Sequence, residues 1–364
     1  MGGRSSGNRP ARVRATKMKA DAHVLHEYRP GELDLPLLGS ILDPEAIEGR
    51  MRRVLSAGGR PRPVAVKSAD LVAGRPGRRA LVRYEMETAH GDVVRLYGKH
   101  FAEPARARRL HGILLSLSLL SEQGALDFDV PRPAGYVPEL SLVLFAPAEG
   151  RPLGIEMAGG DSSSLRRVAR SLAQMHRAPI ALDRTFDLHS EVSNVREWGE
   201  IIVAASPATA GRVGTLVRFV CDRAAQLRLE TDAVIHKDLH HGHVLVAQKP
   251  MLLDVDEMRF GDPAFDLAHF CTYLQLLRVR HLMTPLKAKL LEWSFLEGYA
   301  ASTGWRRDRR FGYFGVYTCL KIAKQLVTGT GPPPVPEGRE RRRQVRAMLQ
   351  HGALLVSGSP EGAG

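Results

Sequence analysis

The chain has 364 residues, 44% hydrophobic and 25% charged, with a formal net charge of +13 carried by 52 lysines and arginines. That length suits two domains or one large bilobal unit with a sizeable core. Three scattered cysteines, Cys221, Cys271 and Cys319, exclude a disulfide framework and a CxxC zinc site and point to the cytoplasm.

The first nineteen residues hold six basic and no acidic side chains, and lack the apolar run of a secretory leader. A solvated basic tail is expected over 1–20, and another short tail over 357–364. No apolar run reaches the ~18 residues of a membrane span. The excess of positive charge favours anionic partners such as nucleotide phosphates. No zinc finger or aromatic RNA-binding strand accompanies it, so no specific nucleic-acid partner is expected.

Residues 21–57 mix short apolar patches with turn residues. Strands are predicted over 64–72, 80–88 and 93–101, with the turn "AGRPGRR" (73–79) and the hairpin signal "AHGD" between them. Pro104 opens a helix running to about Gln123, with leucines at helical spacing. "VPRPAGYVPEL" reads as a proline-punctuated loop and "SLVLF" (141–145) as a short buried strand. From Ala146 the pattern becomes helical. Helices fit 163–176, where Leu165, Val168, Leu172 and Met175 share a face, and 211–229. Two paired strands fit 244–247 and 251–258, helices fill most of the chain to Leu326, and a last helix fits 338–356.

Residues 236–246, "HKDLHHGHVLV", place four histidines and one aspartate in eight positions. Zinc ligation is one reading, and with it a hydrolase. It lacks an HExxH pattern and a second ligand group, and eight consecutive residues make a poor tetrahedral cage. The second reading centres on Asp238. Asp254 follows at the end of "MLL", and "GDPAFDLAHF" comes directly after it. Phosphoryl transfer needs such a set: one carboxylate for the acceptor hydroxyl and another for a divalent cation.

Together these motifs resemble the aminoglycoside phosphotransferase and choline kinase family. The family's loop reads H-G-D-L-H-x-G-N, and its next strand ends in I-D before G-D-P-x-x-D-L-A. The resemblance implies an α+β, bilobal protein-kinase-like fold. A small N-lobe of antiparallel sheet and helix would span 21–145, and a larger, mostly helical C-lobe 146–356. It implies a kinase that moves the γ-phosphate of ATP to a hydroxyl of a small molecule. Asp238 would be the catalytic aspartate and Asp254 the magnesium ligand. His240 would shape the loop, and Asp262 and Asp266 would brace the C-lobe through backbone contacts. Lys99 would meet the phosphates, and the turn with Gly74 and Gly77 would cover them. Backbone around Phe145, Ala146 and Pro147 would meet adenine.

Three departures stand out. His243 occupies the place of the metal-binding asparagine, and imidazole nitrogen suits manganese or zinc better than magnesium. Lys237 replaces the glycine before Asp238, to reach the γ-phosphate or to face water. The helix glutamate that should pair with Lys99 falls to Glu103 or Glu122, of which Glu122 is the choice. The first and third departures motivate the alternative of a pseudokinase or nucleotide-binding module. The arginine-rich C-terminal helices favour a neutral or anionic acceptor.

Overall fold

The computed structural model describes residues 30–56, 63–159, 162–331 and 336–358. The basic tail expected over 1–20 and nearly all of that over 357–364 lie outside these residues.

The described residues begin with a 3-10 turn, Pro30–Glu32, and two helices that the sequence pattern did not reveal, α1 (Leu38–Leu42) and α2 (Pro44–Ser56). Three strands follow: β1 (Pro63–Arg75), β2 (Arg79–Thr88) and β3 (Val93–Phe101). Next come α3 (Pro104–Glu122), β4 (Pro133–Val137) and β5 (Leu142–Phe145). The five strands form one antiparallel sheet in the order β1-β2-β3-β5-β4. The proline-rich stretch read as a loop supplies β4, and it does so at the edge, where a missing N–H is tolerated. Ile41, Ile47, Met51 and Leu55 from α1 and α2 pack against Val82, Tyr84 and Met86 of β2, forming a core of their own.

α3 begins with proline at its first turn, where a missing N–H costs nothing. Its buried residues recur at three- and four-residue spacing: Ala107, Leu110, Ile113, Leu114, Leu117 and Ser121. That face joins the larger core beyond the sheet, so α3 links the two lobes.

After Phe145 come β6 (Arg151–Pro152), α4 (Leu153–Gly159), α5 (Ser163–Met175), α6 (Leu188–Ala205) and α7 (Ala210–Ala224). The helix expected over 211–229 therefore stops five residues early, and α6 is new. A run of short elements follows: β7 (Ala233–Ile235), β8 (Val244–Val246), β9 (Met251–Leu252) and β10 (Arg259–Gly261). The strand expected over 251–258 breaks after Leu252 because Asp254 takes a left-handed backbone, φ 57°, and a single 3-10 turn, Val255–Glu257, comes next. Four helices complete the lobe: α8 (Pro263–Val279), α9 (Pro285–Thr303), α10 (Arg309–Thr328) and α11 (Gly338–Ser357). α8 is buried on nearly every face and packs between α9 and α10. Among the described residues no helix is long and apolar enough to cross a membrane.

Candidate active site

The loop between β7 and β8 is held by two ladders. β7 pairs with β10, and β8 lies between β6 and β9. Side chains then lock the loop to the segment carrying Asp254. The fully buried His236 ring contacts the Leu253 carbonyl through Nε2 at 2.9 Å, and Leu253 N–H donates to the His243 carbonyl at 2.8 Å. Asp266 accepts the His236 and Lys237 N–H groups at 2.6 and 2.9 Å and sits 3.1 Å from His176 Nε2. Asp262 caps α8 by accepting the Ala264 N–H at 2.9 Å. Both aspartates brace backbone, the role the resemblance implies for them.

Asp238 lies in the loop between β7 and β8 with its side chain 29% exposed. Its Oδ1 accepts from Lys321 Nζ of α10 at 2.7 Å and lies 3.3 Å from His269 Nε2 of α8. Burial alone would raise its pKa; the Lys321 ammonium and His269 outweigh that and hold it well below the usual carboxylate range. His269 is itself pushed down to about 4 by burial and by Lys321, so it is neutral at pH 7.

The histidines separate by hydrogen bonding. His240 accepts the Gly242 N–H on Nδ1 at 3.0 Å, so its neutral ring carries the proton on Nε2. It stacks on Tyr273 with centroids 4.7 Å apart. His243 is the reverse: its Nδ1–H donates to the Asp238 carbonyl at 2.7 Å, since a carbonyl only accepts. Its Nε2 then faces Asp254 Oδ2 at 3.7 Å. The liganding atoms of Asp238, His240 and His243 lie within 4.8 Å of one another. The proton on His240 Nε2 leaves His243 as the imidazole suited to a cation there. A carboxylate and an imidazole nitrogen suit a divalent cation, manganese through both and magnesium through the carboxylate.

Lys99 reaches across from β3. Its Nζ contacts Asp254 Oδ1 and lies 2.7 Å from Asp256 Oδ1. Arg79, the first residue of β2, binds Asp256 Oδ2 at 2.7 Å and approaches Asp254 Oδ2 at 3.4 Å. Burial would raise the pKa of Asp254, but Arg79 and Lys99 draw it well below normal. Burial and the charge of Asp254 push Asp256 the other way. The site thus gathers the carboxylates of Asp238, Asp254 and Asp256, the cations of Lys99, Arg79 and Lys321, and the imidazoles of His240, His243 and His269.

The family profile described as "Phosphotransferase enzyme family" matches residues 48–309. The chain belongs to this family. No curated protein sequence matches this phosphotransferase. Solved structures share its fold at low identity. A choline kinase from Cryptosporidium parvum is 14% identical with a TM-score of 0.53, covering 86% of this chain and 95% of that one. A choline/ethanolamine kinase family protein from Mesorhizobium loti is 14% identical with a TM-score of 0.52, over the same shares. An amicoumacin kinase is 13% identical with a TM-score of 0.52, covering 80% and 90%. The bilobal kinase-like fold expected from the loop motifs is therefore that of this phosphotransferase.

Two expectations need correction. Glu122 is not the partner of Lys99. It sits at the far end of α3, exposed, and pairs with Arg132 at 3.1 Å. α3 instead presents Arg106, which pairs with Glu257. The acids facing Lys99 come from the segment after β9. Nor does Lys237 reach the cleft or water. Its φ is 71°, and its side chain turns inward to Glu191 Oε1 at 2.7 Å. The rings of Phe265, Phe186 and Tyr317 surround its Nζ at 4.8, 5.0 and 5.4 Å. Burial lowers its pKa to about 8.

The turn expected over 73–79 is shorter: Gly74 lies in β1, paired with Ala80 of β2, and of the two glycines Gly77 alone sits in the β1–β2 turn. Gly77 has φ 64°, and its N–H donates to the Leu33 carbonyl at 2.7 Å. A Cβ on Gly74 would come within 2.4 Å of the Leu33 side chain. Phe145 pairs with Tyr97 of β3, and the two rings stack 6.3 Å apart. The Ala146 N–H already donates to the Arg132 carbonyl at 2.9 Å, and Pro147 has none to offer.

Arg79, Asp256, Lys321, His269 and Glu191 were not singled out from sequence. Asp256 had a signal, a second acid two residues beyond Asp254 in "LDVDEM". Lys321 had none, being one basic residue among many on a helix far along the chain.

Proposed function

We propose that this phosphotransferase moves the γ-phosphoryl group of ATP to a hydroxyl of a small, neutral or anionic acceptor. One observation carries the reading. The β3 lysine Lys99 meets Asp254 across the cleft, beside a loop that holds Asp238 ionised. The amicoumacin kinase structure, solved with AMP-PNP and calcium, supports an adenine nucleotide and a divalent cation. We take the lobe boundary at Phe145–Ala146, with 21–145 handling nucleotide and 146–356 the acceptor. The β1–β2 hairpin, with Gly74 near the end of β1 and Gly77 in its turn, would cover the phosphates. Adenine would lie by Phe145 and use carbonyl acceptors at Ala146.

Asp254 and His243 would hold the divalent cation, Mg²⁺ or Mn²⁺, which neutralises phosphate charge. Lys99 would fix the phosphates. Asp238 aligns the acceptor hydroxyl and takes its proton as the new oxygen–phosphorus bond forms and the bond to the β–γ bridging oxygen breaks, releasing ADP. A carboxylate held so low is a weak base, so alignment is its larger contribution.

The test is transfer of labelled phosphate from ATP to a panel of sugars, amino alcohols and anionic metabolites. Asp238→Asn should lower turnover by roughly 10²–10⁴-fold while ATP still raises the melting temperature. Normal turnover in Asp238→Asn would overturn the assignment. ATP binding without transfer to any acceptor would favour the nucleotide-binding module.

A further inference from the structure

Phosphoryl transfer concentrates negative charge between donor and acceptor, and protein kinases meet it with two magnesium ions, one of them on a loop asparagine. Here that asparagine is His243. Its Nδ1–H is committed to the Asp238 carbonyl at 2.7 Å, leaving one nitrogen 3.7 Å from Asp254 Oδ2. His243 offers no carboxamide oxygen to a second hard cation.

A different cation stands close by. Arg79 binds Asp256 Oδ2 at 2.7 Å and approaches Asp254 Oδ2 at 3.4 Å. β-Strand alternation puts it there. Leu81 pairs with Lys99, and Arg79 lies two residues before Leu81, so Arg79 and Lys99 share the face of the sheet that looks into the cleft. Two of its five guanidinium N–H donors suffice for these carboxylates, and its side chain is 29% exposed, so others remain for phosphate oxygens. Charges balance without a second ion: Asp238 with Lys321, Asp254 with Lys99, Asp256 with Arg79. A second divalent ion would enter beside two fixed positive groups.

We propose that the Arg79 guanidinium takes the place of the second divalent ion, so that this phosphotransferase works with one divalent ion per nucleotide. The inference rests on the kinase reading above. Arg79 is then a catalytic residue, touching the phosphates from the cleft face of β2.

Electron paramagnetic resonance of Mn²⁺, titrated into the full chain with saturating AMP-PNP, counts bound ions without any turnover. One ion per chain is expected, and two would overturn the proposal. Failure of the kinase reading looks different: AMP-PNP would cause no Mn²⁺ to be retained, and both ideas would fall. Arg79→Ala should lower turnover by roughly 10²-fold or more, regain part of it at high Mn²⁺, and bind a second ion. Arg79→Lys should keep one ion. Arg79→Gln covers the case in which the alanine variant does not fold. Turnover of Arg79→Gln within threefold of wild type at every Mn²⁺ concentration would also overturn the proposal.

Discussion

Replacing Lys237 with glycine tests how the loop before Asp238 is held. Two effects oppose each other. Lysine at φ 71° is strained, and glycine would relieve about 1–2 kcal/mol of that strain. Against this, Lys237 is buried, 9% exposed, and its ammonium pairs with Glu191 at 2.7 Å, inside a box of three aromatic rings. Its loss leaves the Glu191 carboxylate buried without its cation, at a cost of about 3–5 kcal/mol. The void left by the side chain adds to that cost. The ion pair wins, and Lys237→Gly should be less stable by about 3 kcal/mol. Urea unfolding followed by circular dichroism measures it. Glu191→Gln in the same chain should recover about 2 kcal/mol, because the stranded charge is then gone. A Lys237→Gly variant as stable as wild type, or more stable, would refute the reasoning. It would mean that the strained backbone, not the buried pair, dominates at this position.

Two further outcomes are expected. His243→Asn exchanges nitrogen for oxygen beside Asp254 and should lose roughly tenfold in Mn²⁺ affinity, with Mg²⁺-supported turnover rising relative to Mn²⁺-supported turnover; an unchanged ratio would show that the imidazole does not meet the cation. Stability should fall on mild acidification. Burial depresses His269 to about 4 in the folded chain against about 6.5 when unfolded, so the unfolded state binds more protons between these values. Stability from this group is complete above pH 6.5 and is lost as the pH drops towards 4, by about 1.4 kcal/mol at pH 5.5. His241, also held at about 4 by burial, adds to the loss in the same direction. A melting temperature that stays flat from pH 7 to 5.5 would contradict this.

What could be read from sequence follows the range of the interactions involved. β3 was expected at 93–101 and β2 at 80–88, and both lie within one residue of that, because alternation and turn residues are local signals. The helix after Pro104 was legible for the same reason. The lobes and their order came from the family resemblance borne by the loop around Asp238, by Asp254 and by the Gly-Asp-Pro segment. β4 was missed because its prolines look like a loop until an edge position excuses them. Charge partners were the harder part. The family resemblance implies a glutamate on α3 facing Lys99. In this chain Asp256 supplies the acid from the other lobe, and α3 carries Arg106. The direction of Lys237 was equally hidden, because Glu191 lies on α6, a helix that sequence patterning did not reveal.

The contact between Gly74 and Leu33 bears on how motifs are weighed. A glycine beside the turn of a hairpin invites reading as a signature of nucleotide binding. Here the Leu33 methyl groups already forbid a side chain at that position. The glycine would persist in a chain that had lost all affinity for phosphate, provided it kept Leu33. As a diagnostic of activity, Gly74 carries almost no information, whereas Arg79, five residues on and absent from any glycine count, carries a great deal.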